Sequence, residues 1–517
     1  MSSAVLARPA AAPAHPAGRL PRWWPLAAVL VGAAALRLST LGLQSFWYDE
    51  AFTPVHVLHA SLGATLHAVV HRENTPPLWY VLIWGWSRIF GTGEVALRLP
   101  SALAGIATVA VAWGIGWELT GRPTPGDTRL RRASPFRPAA IVMAALVAVN
   151  PLFIWYSQEA RAYGLFVFLA ALAMLCFLRA EREPTPRRLA AFAVSGALAL
   201  ACHYFAVFLL IPMCLWLLRR RERRWTAVAA VAAIGAVGLA LIPLALAQGG
   251  HGTQWIGEWP LSERLEAIPQ YYLTGYAGAP LGHGVELLVA LAILAGIGVG
   301  LWRVLTPRES NAALLALGVA ACGVLIPVTM AAAGADYLAP RNVVAAMIPL
   351  TAGIAVIVTA WRAGGTGMAL AGVIVLAFLA ISIDVNLSPR LQRGDWRGVA
   401  QALRGGRSDR AITTVELGAA PLEYYLPPLR NLPRAEQVRI SEIDETGYKP
   451  LRAGAGAPPA PGFRLVARRD IHGLLIYRFL SSTPRTVSEA ALRSHVITEG
   501  HPEVLVGGRG AVSAGTP

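Results

Sequence analysis

The sequence predicts a polytopic α-helical membrane protein that carries a small α/β domain towards its C-terminal end. The chain is 55% hydrophobic and only 14% charged, whereas soluble domains carry about 25% charged residues. Its mean hydropathy is +0.51. Many apolar runs are long enough to cross a bilayer as helices, and this apolar character ends near residue 383.

Eleven apolar segments predict about eleven transmembrane helices, which together form a membrane module over 24–383. The run at 24–43 follows a basic tail, so a cleaved signal peptide is the alternative interpretation. We favour an uncleaved first helix, because the apolar part is long and further spans follow. The segments lie near 24–43, 96–118, 139–156, 162–178, 189–202, 204–218, 226–246, 284–303, 312–332, 342–361 and 367–383.

The distribution of Arg residues predicts the orientation of these helices. The formal charge is +16, and Lys449 is the single lysine. Twenty Arg residues fall in the segments that would be cytosolic if the N-terminus is inside, against six on the other side before residue 384. The positive-inside rule therefore predicts a cytosolic tail over 1–23 and an extracytoplasmic C-terminal domain. The tail is rich in Ala and Pro, which predicts that it is disordered. The same rule explains the basic balance, and we expect no nucleic acid partner.

Residues 44–95 are predicted to form an outer loop with amphipathic helices. The segment 76–91 is apolar but short, and counting it as a span would turn the Arg-rich loop 119–138 outward. We therefore interpret it as an interfacial or re-entrant helix. The stretch 55–73 places His67 and His71 four residues apart, which a metal could use; a solvated helix face is the interpretation that we favour.

Polar residues recur at the level where the predicted helices end on the outer side. Asp49 and Glu50 follow the first helix, and three later hairpin tips add further polar side chains. These are Glu159, Arg161 and Tyr163, then His203 and Tyr204, then Asp336 and Arg341. Ionisable groups that converge on one membrane boundary indicate a site there. The four cysteines lie in apolar runs and indicate packed thiols rather than a disulfide framework.

Three motifs in this order resemble those of the GT-C glycosyltransferases. They are SFWYDEAFT (45–53), ENTPPLWYVL (73–82) with IFGTGEVALRLPSALAG (89–105), and YSQEARAYG (156–164). The resemblance is to the bacterial membrane branch akin to protein O-mannosyltransferases and aminoarabinose or arabinose transferases. It covers roughly 24–383. It implies a GT-C-like fold, a sugar donor carried on a polyprenyl phosphate, and transfer to an acceptor on the extracytoplasmic face of the cell membrane.

The chemistry of a glycosyl phosphate matches these residue types. Because its leaving group is already good, it requires a base for the acceptor hydroxyl and cations for the departing phosphate. Asp49, at the family's first acidic position, is the candidate base, and a single displacement would invert the anomeric centre.

The remaining candidates would bind substrate. Arg161 and Arg341 would hold the phosphate, although Arg161 could instead pair locally with Glu159. Glu50 and Glu159 would orient the acceptor or, with Asp49, hold a divalent metal ion. Glu73 falls in the loop where related enzymes contact donor or acceptor. Three further residues would line the pocket, namely Tyr163, His203 and Tyr204.

The C-terminal region is predicted to form a small extracytoplasmic α/β domain over 384–484, followed by a flexible tail over 485–517. Its pattern indicates a helix at 393–406, a strand at 410–417, a short helix at 421–429, and strands at 463–468 and 473–480. The alternative function for the whole chain is a transporter or flippase of a lipid-linked or envelope precursor. That class would show an internal repeat and ionisable groups near the midplane, and no repeat is evident in the sequence.

Overall fold

The computed structural model describes residues 23–121, 137–219, 221, 223–250, 253–276, 283–495, 497–498 and 502–507. The predicted N-terminal tail and most of the loop 119–138 lie outside these residues. The α-helices of the membrane module are Trp24–Leu38, Tyr48–Phe52, Leu62–Arg72, Leu78–Phe90, Glu94–Leu119, Pro138–Val149, Pro151–Ser157, Tyr163–Arg182, Pro186–Cys202, Ala206–Leu218, Arg224–Gln248, Gln254–Glu258, Leu261–Thr274, His283–Val299, Pro307–Ala332, Met347–Val358 and Gly364–Leu387.

Every one of the eleven predicted segments contains helix, and the module is confirmed as helical and polytopic. Within the described residues, seven helices are long and apolar enough to cross a membrane, or up to eight if one bent pair counts as a span. The apolar helices Trp24–Leu38 and Ala206–Leu218 are shorter than a full span. The exact count of eleven and the orientation therefore stay predictions.

The bent pair consists of Pro138–Val149 and Pro151–Ser157, which meet at 58°. Pro151 has no N–H, so it cannot bond the carbonyl of Val147, and the helix breaks there. The fully buried Arg37 binds the carbonyl groups at the end of the first helix. It donates to the carbonyl of Val147 at 3.1 Å and to that of Ala148 at 2.8 Å. A buried carbonyl without a partner would cost free energy, so Arg37 fixes the bend that leads to the third motif.

The helix Leu78–Phe90 confirms that the segment 76–91 is helical and too short to span. Its 13 residues rise about 20 Å, against a hydrocarbon core of about 30 Å. Trp79 and Ile83 are buried against the rest of the module. The helix Leu62–Arg72 is amphipathic as predicted, because Val69 is buried while His67 and His71 are exposed.

The C-terminal domain is built on one sheet of six strands in the order β2-β6-β1-β3-β5-β4. The strand β1 pairs in parallel with β3, and the other pairs are antiparallel. Three short α-helices accompany the sheet, Trp396–Leu403, Ala419–Tyr425 and Glu489–Ser494. The strands are β1 Arg410–Val415, β2 Leu429–Asn431, β3 Gln437–Tyr448, β4 Arg464–Ile471, β5 Leu474–Ser488 and β6 Pro502–Gly507.

The predicted boundary at residue 484 is wrong. The strand β5 continues to Ser488, and β6 lies inside the sheet between β1 and β2. Val504 and Leu505 of β6 are fully buried. The structure of 485–495 and 502–507 thus depends on long-range strand pairing and burial, which the local composition does not reveal.

The domain docks on the loop that contains the first motif. The N–H of Arg393 donates to Oε1 of Gln44 at 2.9 Å. Ser45 Oγ donates to the carbonyl of Gly394 at 2.9 Å, and the hydroxyl of Tyr425 accepts from the N–H of Phe46 at 2.8 Å. Three successive loop residues are therefore tied to the C-terminal domain just before Asp49.

Candidate active site

Glu50 is an internal anchor of the site. Its carboxylate is fully buried and binds the Arg98 guanidinium through two hydrogen bonds, of 2.7 and 2.6 Å. It also accepts from the N–H of Ala160 at 2.9 Å. Burial raises the pKa of Glu50, but the charges of Arg98 and Arg393 outweigh this and hold it below its usual value. Glu50 therefore joins the first motif to the second and the third, and both of its oxygens are occupied.

Asp49 lies beside Glu50 on the same short helix but in a more open position, with 18% of its side chain exposed. Nη1 of Arg341 donates to Oδ2 of Asp49 at 2.7 Å. The Arg341 guanidinium also lies 5.0 Å from the ring centre of Trp255, a cation–π contact. The sequence-predicted base and one predicted phosphate ligand thus form an ion pair at the edge of an open space.

Glu159 is buried and paired with a residue of the C-terminal segment. Its Oε2 accepts from Nη2 of Arg393 at 3.0 Å, and the Arg393 guanidinium lies 4.2 Å from the ring centre of Trp155. Its Oε1 has no hydrogen-bond partner among the described residues. Burial raises the pKa of Glu159 to about 7, although Arg393 opposes this. The protonation of Glu159 can therefore change near neutral pH.

The alternative prediction that Arg161 pairs with Glu159 is wrong. Arg161 instead binds Glu73 through two hydrogen bonds, of 2.7 and 2.9 Å, and both side chains are buried. Because a guanidinium matches a carboxylate through two parallel bonds, this pair links the second motif to the third. Both terminal nitrogens of Arg161 are thereby occupied, whereas Asp49 binds only Nη1 of Arg341.

A cavity of about 350 Å³ opens beside Arg341. Tyr163, His203 and Tyr204 line it, as the sequence predicts for a pocket. The wall is otherwise largely apolar and comes from the helices Ala206–Leu218, Arg224–Gln248 and Pro307–Ala332. These helices contribute Val207, Phe208, Leu246, Pro327 and Met330, among others. The cavity thus combines a cation with an apolar wall.

His203 and Tyr204 have defined partners. The His203 ring stacks on Phe166 with centroids 4.5 Å apart, and its Nδ1 accepts from the N–H of Phe205 at 3.3 Å. Burial, with the charges of Arg341 and Arg161, lowers the pKa of His203 to about 3. The imidazole is therefore neutral at pH 7 and supplies no cation. The Tyr204 hydroxyl donates to Oε1 of Gln248 at 2.8 Å.

The three acidic residues do not fit a metal ion. Both oxygens of Glu50 bind Arg98, and one oxygen of Glu159 binds Arg393. Among the residues that the structure describes, no group of three or more His, Cys, Asp or Glu side chains is arranged to hold a cation. His67 and His71, with ring centroids 4.4 Å apart, likewise have no third ligand within those residues.

Sequence reasoning missed two arginines of the site, Arg98 and Arg393. A signal for Arg98 was present, because a buried carboxylate such as Glu50 requires a cation and Arg98 lies in the second motif. Nothing local marks Arg393, which is 234 positions from Glu159. Its role depends on how the C-terminal domain docks.

The described residues thus form a helical module in which buried ion pairs join the three motifs. The family model for dolichyl-phosphate-mannose-protein mannosyltransferases matches residues 129–246. This range contains the third motif, and the match agrees there with the resemblance that the motifs indicate. No curated protein matches the chain by sequence.

Three solved structures are similar at low identity. The protein O-mannosyltransferase Pmt1-Pmt2 complex of S. cerevisiae bound to its sugar donor is 18% identical over 43% of this chain and 33% of that chain, with a TM-score of 0.32. ArnT from Cupriavidus metallidurans in the apo state is 16% identical over 88% of this chain and 97% of that chain, with a TM-score of 0.44. ArnT bound to undecaprenyl phosphate is 15% identical over 88% and 98%, with a TM-score of 0.41.

Proposed function

We propose that this protein transfers a sugar from a polyprenyl-phosphate donor to a hydroxyl group of an extracytoplasmic acceptor, with Asp49 as the general base. The observation that carries the proposal is the ion pair between Asp49 and Arg341 at the edge of the large cavity. A carboxylate and a guanidinium within one hydrogen bond of each other support the roles of a proton acceptor and a phosphate ligand.

The cavity suits a lipid phosphate. Its largely apolar wall on membrane helices can bury part of an isoprenoid chain, because burial of apolar area is favourable by about 25 cal/mol per Å². Arg341 supplies the cation that the phosphate needs. A water-soluble nucleotide sugar would need more polar partners than this wall offers.

The Arg341 guanidinium can serve both partners at once. Only Nη1 is used by Asp49 within the described residues, so Nε and Nη2 remain for phosphate oxygens. One planar group would then hold the phosphate and orient the carboxylate. The buried Glu50–Arg98 pair fixes the backbone that carries Asp49.

In the proposed step, Asp49 accepts the proton of the acceptor hydroxyl while the acceptor oxygen bonds to the anomeric carbon. The bond between that carbon and the phosphate oxygen breaks, and polyprenyl phosphate leaves with its charge stabilised by Arg341. Attack from the face opposite the phosphate inverts the anomeric centre. Glu159, with its raised pKa, lies near this charge cluster but is not required as a second catalyst, since phosphate leaves without protonation.

Purified protein incubated with a panel of radiolabelled polyprenyl-phosphate sugars tests the proposal. We expect consumption of at least one donor, with release of polyprenyl phosphate and label on an acceptor from membranes of a strain that lacks the gene. Asp49→Asn is the matched control that should bind but not consume the donor. Movement of intact donor across a proteoliposome membrane without cleavage would instead favour the transporter or flippase.

A further inference from the structure

A second cavity, of about 250 Å³, lies where the membrane module meets the C-terminal domain. Trp47, Trp155 and Tyr276 line it from the membrane module. Trp396, Leu417 and Tyr448 line it from the C-terminal domain. Six of the twelve residues that line the cavity are aromatic, although aromatic residues make up only 8% of the chain. Such a concentration in a concave site is typical of ligand binding.

The rings form an ordered surface. Trp155 and Tyr276 stack with centroids 5.2 Å apart and an interplanar angle of 23°. Trp47 lies 6.2 Å from Tyr276 at 51°. Arg393 also lines this cavity, and its guanidinium makes a cation–π contact with the ring of Trp155. The same arginine therefore contacts the aromatic wall and binds Glu159.

This cavity reaches the residues that directly precede Asp49 in the chain. Trp47 and Tyr48 line it, and Asp49 is the next residue; Arg341, the partner of Asp49, lines the large cavity. Burial raises the pKa of Tyr276, and the charges of Arg341, Asp49, Glu159 and Arg393 all act on its hydroxyl. The Asp49–Arg341 pair therefore links a residue adjacent to the lining of this cavity with a lining residue of the large cavity.

We infer that the second cavity binds the acceptor and that the acceptor presents a carbohydrate ring there. This inference rests on the proposed function, and it adds the class of acceptor. The apolar C–H faces of a sugar ring pack on aromatic faces, while its hydroxyls need polar partners at the rim. Arg390 and Gln392 supply such donors in the cavity wall.

The other acceptor classes fit less well. A peptide that adds to a sheet edge is held by a row of backbone hydrogen bonds, and this cavity offers side-chain rings instead. A lipid chain would need a longer apolar groove. The volume is slightly below the range of about 300–1,000 Å³ for small-molecule sites, which suits one or two sugar rings. A sugar on a glycolipid and a sugar on a polysaccharide share this chemistry.

Filling the cavity tests the inference. Leu417 is 47% exposed and lines the cavity, so Leu417→Trp should narrow it without disturbing the core. Leu451, which is 37% exposed in the same domain and does not line the cavity, provides the matched control Leu451→Trp. Tyr276→Ala is the second variant, and it removes a ring instead of adding one.

The assay measures initial rates of transfer from labelled donor to membranes of the strain that lacks the gene, with the amount of membrane and of donor varied separately. We expect Leu417→Trp and Tyr276→Ala to raise the membrane amount for half-maximal rate at least about tenfold, which corresponds to about 1.4 kcal/mol. The half-saturating donor concentration should stay unchanged, and Leu451→Trp should match the unmodified protein. Equal acceptor dependence in all four proteins would overturn the inference.

The class of acceptor is tested on the membranes themselves. Periodate, which cleaves the vicinal diols of sugars, should abolish acceptor activity, whereas proteinase K should leave it. Partition of the labelled product into organic solvent would identify a glycolipid, and retention in the aqueous phase a polysaccharide; both support the inference. Loss of acceptor activity with the protease alone would overturn it. Absence of donor consumption by the unmodified protein would overturn the proposed function, and with it this inference.

Discussion

Arg341 donates a hydrogen bond to Asp49 over 2.7 Å although 292 positions separate the two residues. The pair brings together the first motif and the segment that precedes the helix Met347–Val358. In the proposed mechanism the same guanidinium also holds the donor phosphate. The Arg341 side chain would then fix the distance between the Asp49 carboxylate and the phosphate.

Replacement of Arg341 by Lys should therefore reduce transfer although the charge is kept. An ammonium is a point charge and cannot hold a carboxylate and a phosphate in one plane. We expect turnover to fall about 10²–10³-fold, the range typical for loss of one group that stabilises developing charge. The measurement is single-turnover transfer, with the exposed Arg362→Lys as control. Normal turnover in Arg341→Lys would reduce Arg341 to a structural anchor.

Loss of the buried ion pair between Glu73 and Arg161 should reduce the stability of the protein. Because both side chains are buried, Glu73→Gln leaves a buried cation without its partner, and stability should fall by about 3–5 kcal/mol. A second change, Arg161→Gln, should recover part of this loss, which a double-mutant cycle on thermal unfolding in detergent would measure. If Arg161 instead holds the phosphate, Arg161→Lys would weaken donor binding while the unfolding temperature stays the same.

The raised pKa of Glu159 predicts that the stability of the folded protein depends on pH. Its pKa is raised by burial from 4.5 to about 7, so the folded protein binds more protons than the unfolded chain between these values. Stability should therefore fall as pH rises from about 4.5 to 7. Glu159→Gln, which stays neutral, should make that part of the profile flatter. Thermal unfolding of both proteins between pH 4.5 and 8 checks this, and parallel profiles would contradict it.

Truncation distinguishes the predicted tail from the observed sheet. Removal of 485–517 deletes β6 and the end of β5, so β1 and β2 lose their common neighbour. We expect this protein to be degraded or insoluble. Removal of 508–517 alone spares every described strand and should leave the yield unchanged. Equal yields from both truncations would show that β6 contributes little.

Local patterns predicted the helices well, because apolar runs of about 20 residues rarely form any structure other than a transmembrane helix. They did not predict β3, Gln437–Tyr448, whose Glu442, Asp444 and Glu445 look like a polar loop. These acids are buried because Arg478 and His495 pair with them from distant parts of the chain. The same limit applies to the site. Asp49 was found through its motif, whereas Arg393 acts only through tertiary contacts.

The most direct test of the central claim is single-turnover transfer by folded Asp49→Asn, measured beside donor binding. The amide keeps the size of Asp49 but cannot accept the proton, and general-base catalysis contributes about 10²–10⁴-fold. We predict a loss of at least that order with donor binding largely retained, and a milder effect on turnover in the folded fraction of Glu50→Gln. Near-normal turnover in folded Asp49→Asn would contradict the assignment of Asp49 as the base.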